Sequence, residues 1–142
     1  MERLFIAAPL VLVAVAVAML VQRRRPDPPT QSSSWTVPSQ LDRADFVDPE
    51  KPWLVALFSS AACEACAQTR DAMAPLESPE VAVMDVGVDV HPDIHRRYRI
   101  DAVPMLVVAD AAGVVVASEV GPTSASDLWS VVADVRDQHP QD

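Results

Sequence analysis

The chain has two cysteines, and they stand two residues apart in the stretch Phe58-Ser59-Ser60-Ala61-Ala62-Cys63-Glu64-Ala65-Cys66. Any thiol chemistry open to the protein is therefore confined to this place. An apolar run of strand type leads into the pair, and residues that favour helix follow it. At the start of a helix this spacing holds two sulfurs close enough to join. It also leaves the first at the positive end of the helix dipole, where a thiolate, the reactive form, is stabilised. The pattern predicts dithiol/disulfide exchange. The same thiols offer a soft-metal alternative, Cu(I) by themselves or Zn with His91 and His95 added. Those histidines are four apart on a short predicted helix remote in sequence from the cysteines, and His139 lies near the end of the chain. With no second cysteine pair, ligand count favours exchange over a metal module.

The elements that must position the cysteines follow from periodicity. Trp53 to Phe58 is apolar on both alternations, as a central strand covered on both faces would be. Ala62 to Ala74 favours helix, and Pro75 ends or kinks it. On that helix Cys66, Arg70 and Met73 share a face. Val81 to Val86 reads as a second buried strand, and Pro92 to Tyr98 as a short helix with proline in its first turn. Met105 to Ala109, the turn Asp110-Ala111-Ala112-Gly113, and Val114 to Ala117 read as a β-hairpin. A last helix begins near Ser124, has Asp127 three residues on, and carries Ala125, Leu128, Trp129, Val132 and Val135 on one stripe. Ahead of all these, Trp35 to Val37 is expected as a short edge strand, and Ser39 to Phe46 as a first helix with Ser39 as its N-cap. Trp53 and Trp129 are expected in or near the core, and the histidines at the surface. Together the elements make a mixed α/β sandwich with helices on both faces of the sheet.

Before this domain, Leu4 to Gln22 holds no charged residue in 19 positions and Arg23-Arg24-Arg25 follows at once. The stretch is long enough to cross a bilayer. A cleavable signal peptide is the alternative, with small-x-small sites at Ala14-Val15-Ala16 and Ala16-Val17-Ala18; the arginines after the apolar core favour an anchor. Residues 1–22 are thus read as a transmembrane anchor, 23–39 as a Pro/Ser-rich linker and 40–142 as the domain. The three arginines predict a domain on the cytoplasmic side, with the outer side as the close alternative. From Ser34 to Asp142 there are 7 Lys and Arg against 18 Asp and Glu, a net charge of −11. That balance argues against nucleic acid and against anionic lipid as partners. The three glycines, Gly87, Gly113 and Gly121, stand at unrelated places, so no phosphate loop is present and no cofactor is expected.

The Cys63-Glu64-Ala65-Cys66 pair after a buried strand, followed 38 residues beyond Cys66 by the proline of Ile100-Asp101-Ala102-Val103-Pro104, resembles the thioredoxin family over roughly Lys51 to Gly121. The resemblance implies a thioredoxin-like three-layer α/β sandwich with a mixed central sheet. It implies that Cys63 is the attacking thiol and that Cys66 resolves the mixed disulfide. Val103-Pro104 would be a cis bond, with the backbone of Val103 beside the sulfurs where an extended substrate pairs; a proline opening a strand is the plainer alternative. Gly121 would complete the substrate groove, and Ala62 stands where the family has a tryptophan. The partners implied are protein disulfides and an unidentified redox partner. An adaptor of this fold that no longer turns over is the other reading, and both cysteines being retained speaks against it.

Departures from the family pattern carry consequences. The buried acid that many thioredoxins have on the strand before the motif falls at Leu57. Asp85, on the neighbouring strand, stands where a lysine is common. Asp85 is either a replacement for the missing acid, taking the proton from Cys66, or a strand-end carboxylate in solvent. Glu64, next to Cys63, disfavours its thiolate, which predicts a reductant or transfer role over disulfide introduction, unless solvent screens it.

Overall fold

The computed structural model describes residues 35–138. The expected membrane span, residues 23–34 of the linker and His139 lie outside the described residues. Among the described residues no helix is long and apolar enough to cross a membrane.

Strand β1 (Trp53–Ser59) is buried at every position, as its apolar run on both alternations demands. Its neighbours are β2 (Val81–Gly87) and β3 (Met105–Ala109), and β4 (Val115–Val120) lies beyond β3, giving the order β2-β1-β3-β4. β1 runs parallel to β2, with Trp53 opposite Val81, Leu57 opposite Asp85 and Ser59 opposite Gly87. It runs antiparallel to β3, with Phe58 opposite Met105. β3 and β4 are antiparallel, with a register shift between Val108 and Ala109. The sheet is therefore mixed.

Helix α1 (Glu64–Met73), followed by a 3-10 turn at Ala74–Leu76, and helix α3 (Ala125–Gln138) cover one face. Met73 of α1 and Leu128, Val132 and Val135 of α3 pack there on Val55, Leu57, Leu106 and Val108. Helix α2 (Pro92–Tyr98) covers the other face, where Ile94 and Tyr98 pack against Phe58, Val86 and Met105 together with Leu41 and Phe46. Each fully buried side chain of this size contributes about 1.5–3 kcal/mol over its exposed state. Alternation along β2 sorts its side chains: Ala82 and Val86 face α2, whereas Val81 and Val83 face α1 and α3. Asp85 shares the latter parity, on the face of the cysteine-bearing helix.

Four expectations are corrected. Trp35 to Val37 forms no strand; the isolated bridge to the hairpin is made instead by Gln40, opposite Val114. Ser39 to Phe46 is not a helix but a single 3-10 turn at Arg43–Asp45, capped by the Asp42 side chain accepting from the Ala44 N–H. The reason is non-local. Arg43 is buried, and its guanidinium donates to the carbonyls of Lys51, Asp110 and Asp48, which fixes the segment irregularly across the end of the sheet. Burial lowers the Arg43 pKa from its ordinary value, with the nearby Asp110 and Glu50 charges opposing. Trp129 is 48% exposed, outside the core; its indole N–H donates to Ala72 O across the seam between α1 and α3. His95 is buried rather than superficial, its Nε2 2.6 Å from Val86 O and its ring edge-on to Phe58.

Candidate active site

Cys63 is the N-cap of α1. Its Sγ accepts from the backbone N–H of Cys66 at 3.1 Å. The first sulfur thus meets a peptide donor as well as the positive end of a ten-residue helix, two features that stabilise a thiolate. Cys63 and Cys66 are joined as a disulfide, with Cα atoms 5.3 Å apart. Cys66 is completely buried, while Cys63 is partly open to solvent. An incoming molecule can therefore reach only the first sulfur.

The loop that delivers Cys63 is fastened at both ends. Cys63 N–H donates to Ser60 O, and Ala61 N–H donates to Asp89 Oδ2 at 2.7 Å. Asp89 stands in the loop after β2, whose Val88 N–H donates to Ser59 O. Ala61 and Ala62 are exposed, so no large side chain screens the disulfide on this side.

Val103-Pro104 is a cis peptide bond. Pro104 is buried and immediately precedes Met105, which pairs with Phe58, so the bond sits at the end of the sheet from which the cysteine loop emerges. Val103 is 37% exposed. Gly121 N–H donates to Pro104 O at 2.8 Å. Gly121 has φ of 102°, while a Cβ there would meet nothing within 4 Å, so its backbone angle and not its size calls for glycine. Cys63, Cys66, Ala62, Val103, Pro104 and Gly121 thus gather at one end of the sheet.

Asp85 is not the solvent carboxylate that one reading allowed. It is half-buried, with Oδ1 accepting from Ser59 Oγ and Oδ2 from Arg70 Nε, each at 2.5 Å. Ser59 is fully buried at the end of β1, and Arg70 lies one turn beyond Cys66 on α1. Leu57, where an acid would stand in many thioredoxins, is buried in the apolar core opposite Asp85. Sequence reasoning did not single out Ser59 or Asp89, nor the pairing of Arg70 with Asp85. A polar residue ending an otherwise apolar strand was the signal available for Ser59. Among the described residues no group of three or more His, Cys, Asp and Glu side chains stands together to hold a metal ion.

No family model and no curated protein matches the sequence. Solved structures do match. One is a malarial protein, 17% identical, with 59% of this chain and 97% of that chain covered at a TM-score of 0.53. Another is mitochondrial thioredoxin 3 from Saccharomyces cerevisiae in its oxidised form, 23% identical, covering 61% of this chain and 81% of that one at 0.51. A third is a point mutant of a thioredoxin from Halobacterium salinarum, 22% identical, covering 61% and 76% at 0.53. The chain has the thioredoxin fold. Within that thioredoxin fold it carries its cysteine pair at the head of α1, with Glu64-Ala65 between the sulfurs and Ala62 ahead of them.

Proposed function

We propose that the protein is a membrane-tethered thiol-disulfide oxidoreductase that reduces, or transfers, disulfides of protein partners. The observation that carries this reading is the asymmetric pair: Cys63 reachable at a helix N-terminus, Cys66 buried one turn further in. The tether is residues 1–22, and the three arginines after it support a domain on the cytoplasmic side.

In the reducing direction the Cys63 thiolate attacks one sulfur of the partner's disulfide. The partner's other sulfur leaves as a thiolate and takes a proton from water. Cys66 then loses its proton to Asp85, and its thiolate attacks the Cys63 sulfur of the mixed disulfide. The Cys63–Cys66 bond forms as the bond to the partner breaks, and the second partner thiolate is released. Two electrons pass from dithiol to partner, and a separate thiol reductant must restore the pair. Asp85 supplies on β2 the acceptor that Leu57 cannot supply on β1. Val103, Ala62 and Gly121 form the surface on which the partner's extended segment lies.

The test is a trapping experiment on the full chain with its midpoint potential. Cys66→Ser should hold partners through Cys63 as stable mixed disulfides, and Cys63→Ser should hold none. A potential near or below about −250 mV supports a reductant, whereas about −120 to −180 mV would make the protein an oxidant or isomerase. A chain that never forms the Cys63–Cys66 disulfide overturns the proposal.

A further inference from the structure

Arg70 takes no part in the exchange steps, yet it occupies the position from which a cation would act on the resolving thiol. It lies four residues after Cys66, so the two side chains stand on one face of α1 a turn apart. Its Nε donates to Asp85 Oδ2 across the gap between α1 and β2, while Ser59 Oγ holds the other carboxylate oxygen from β1. Three elements thus converge on one carboxylate beside the helix that carries Cys66.

A carboxylate in this place has two opposed effects. It can receive the Cys66 proton, but its negative charge also disfavours the thiolate that must form. The other charged side chains on α1 are Glu64 in its first turn and Asp71 beside Arg70, both exposed, and Asp89 in the loop after β2 accepts from Ala61 N–H; all three are negative. β1 contributes Ser59, bonded to the carboxylate, and Leu57, opposite Asp85; α3 contributes Leu128, Val132 and Val135, which share a core cluster with Met73 of α1, and Trp129, bonded to Ala72 O, and none of these is charged. Arg70 is the cation paired to this carboxylate.

We propose that Arg70 is a positioning residue for the resolving step, holding Asp85 in one orientation and offsetting its charge so that the Cys66 thiolate forms at lower pH. This rests on the exchange function proposed above. Without Arg70 the carboxylate stands uncompensated near Cys66, and the step needs higher pH. Without both Arg70 and Asp85 the pair's effect on the thiolate vanishes together.

The experiment is single-turnover reaction of the reduced full chain with 5,5′-dithiobis(2-nitrobenzoate), followed from acid to alkaline pH. The first thionitrobenzoate is released as Cys63 attacks, and the second as Cys66 displaces it from the mixed disulfide, so the second phase reports resolution. Arg70→Met should move the midpoint of that phase to higher pH by about half to one pH unit, the exposed side of the pair being screened. Arg70→Lys should bring it most of the way back. The double variant Arg70→Met/Asp85→Asn should return the midpoint to the wild-type position, whatever its plateau rate. Circular dichroism confirms that each variant is folded. An Arg70→Met profile superimposed on wild type, or a double variant whose midpoint stays displaced, overturns the role of Arg70 and leaves the exchange function standing. A wild-type chain that releases only one equivalent overturns the exchange function and this proposal with it.

Discussion

Glu64 is the first residue of α1 and is exposed, directly beside the sulfur that an incoming disulfide must meet. A carboxylate in a first helical turn stabilises the helix, yet next to Cys63 it opposes the thiolate that the same dipole favours. The reduced form is then less stabilised relative to the disulfide. Glu64→Gln should raise the midpoint potential of the pair, making it more oxidising, by on the order of 10–20 mV. Equilibration of the full chain in thiol/disulfide buffers, with alkylation to trap the populations, measures this directly. An unchanged potential would mean that solvent screens the charge entirely. Asp85 acts at the same scale but in a different setting. It is tied by Ser59 and Arg70, whereas Glu64 faces water, and the two carboxylates should therefore separate in experiment: one moves the potential, the other the rate of resolution.

At the scale of elements, the turn Asp110-Ala111-Ala112-Gly113 joins β3 to β4 and also receives the segment that precedes β1. Leu41 N–H donates to Gly113 O at 2.8 Å, Gln40 Nε2 to Ala112 O, and Val115 N–H to Ser39 O. Gly113 has φ of 80°, and a Cβ on it would stand 2.0 Å from Leu41 O, so both angle and space require glycine. Gly113→Ala should lower stability by about 2–3 kcal/mol, read from urea unfolding of the full chain. Its disulfide potential should stay at the wild-type value, because the turn closes the opposite end of the hairpin from Pro104. This element also marks where the sequence stopped being legible. The period of apolar residues exposed β1, α1, α2, the hairpin and α3, and proline and glycine marked their ends. The segment before β1 departs from its local propensity because the Arg43 guanidinium and distant carbonyls shape it, and local propensity carries no information about them. In the site, Cys63, Cys66 and Pro104 were legible from type and spacing. The engagement of Asp85 was not, since it depends on strand register and on which face each side chain takes.

At the scale of the molecule the acidic surplus is large, and among the described residues three arginines join separate elements: Arg136 with Glu80, Arg97 with Asp42 and Asp45, Arg70 with Asp85. Tyr98 makes the neutral counterpart of these links. Its hydroxyl accepts from Asp42 N–H at 2.9 Å and donates to Asp45 Oδ2 at 2.5 Å, fastening α2 to the segment before β1. Burial, then the hydrogen bond to Asp45, raises its pKa above the ordinary 10.0, so the fold favours the neutral phenol. In the unfolded chain the phenol ionises near pH 10. Between that pH and the raised folded value the unfolded chain binds fewer protons, so stability is fully present below about pH 10 and falls as pH rises through the window. The chain has a single tyrosine, which makes the titration a direct reading of this contact. Absorbance of the phenolate at about 295 nm should appear above pH 10 in the native chain and near pH 10 in concentrated urea. Over the same range the urea midpoint should decline. Tyr98→Phe should abolish the signal, flatten the decline and lower stability at neutral pH by about 1 kcal/mol, the worth of a hydrogen bond exchanged with water. A native titration that coincides with the one in urea would place the hydroxyl in free solvent and break the proposed link between α2 and the N-terminal segment.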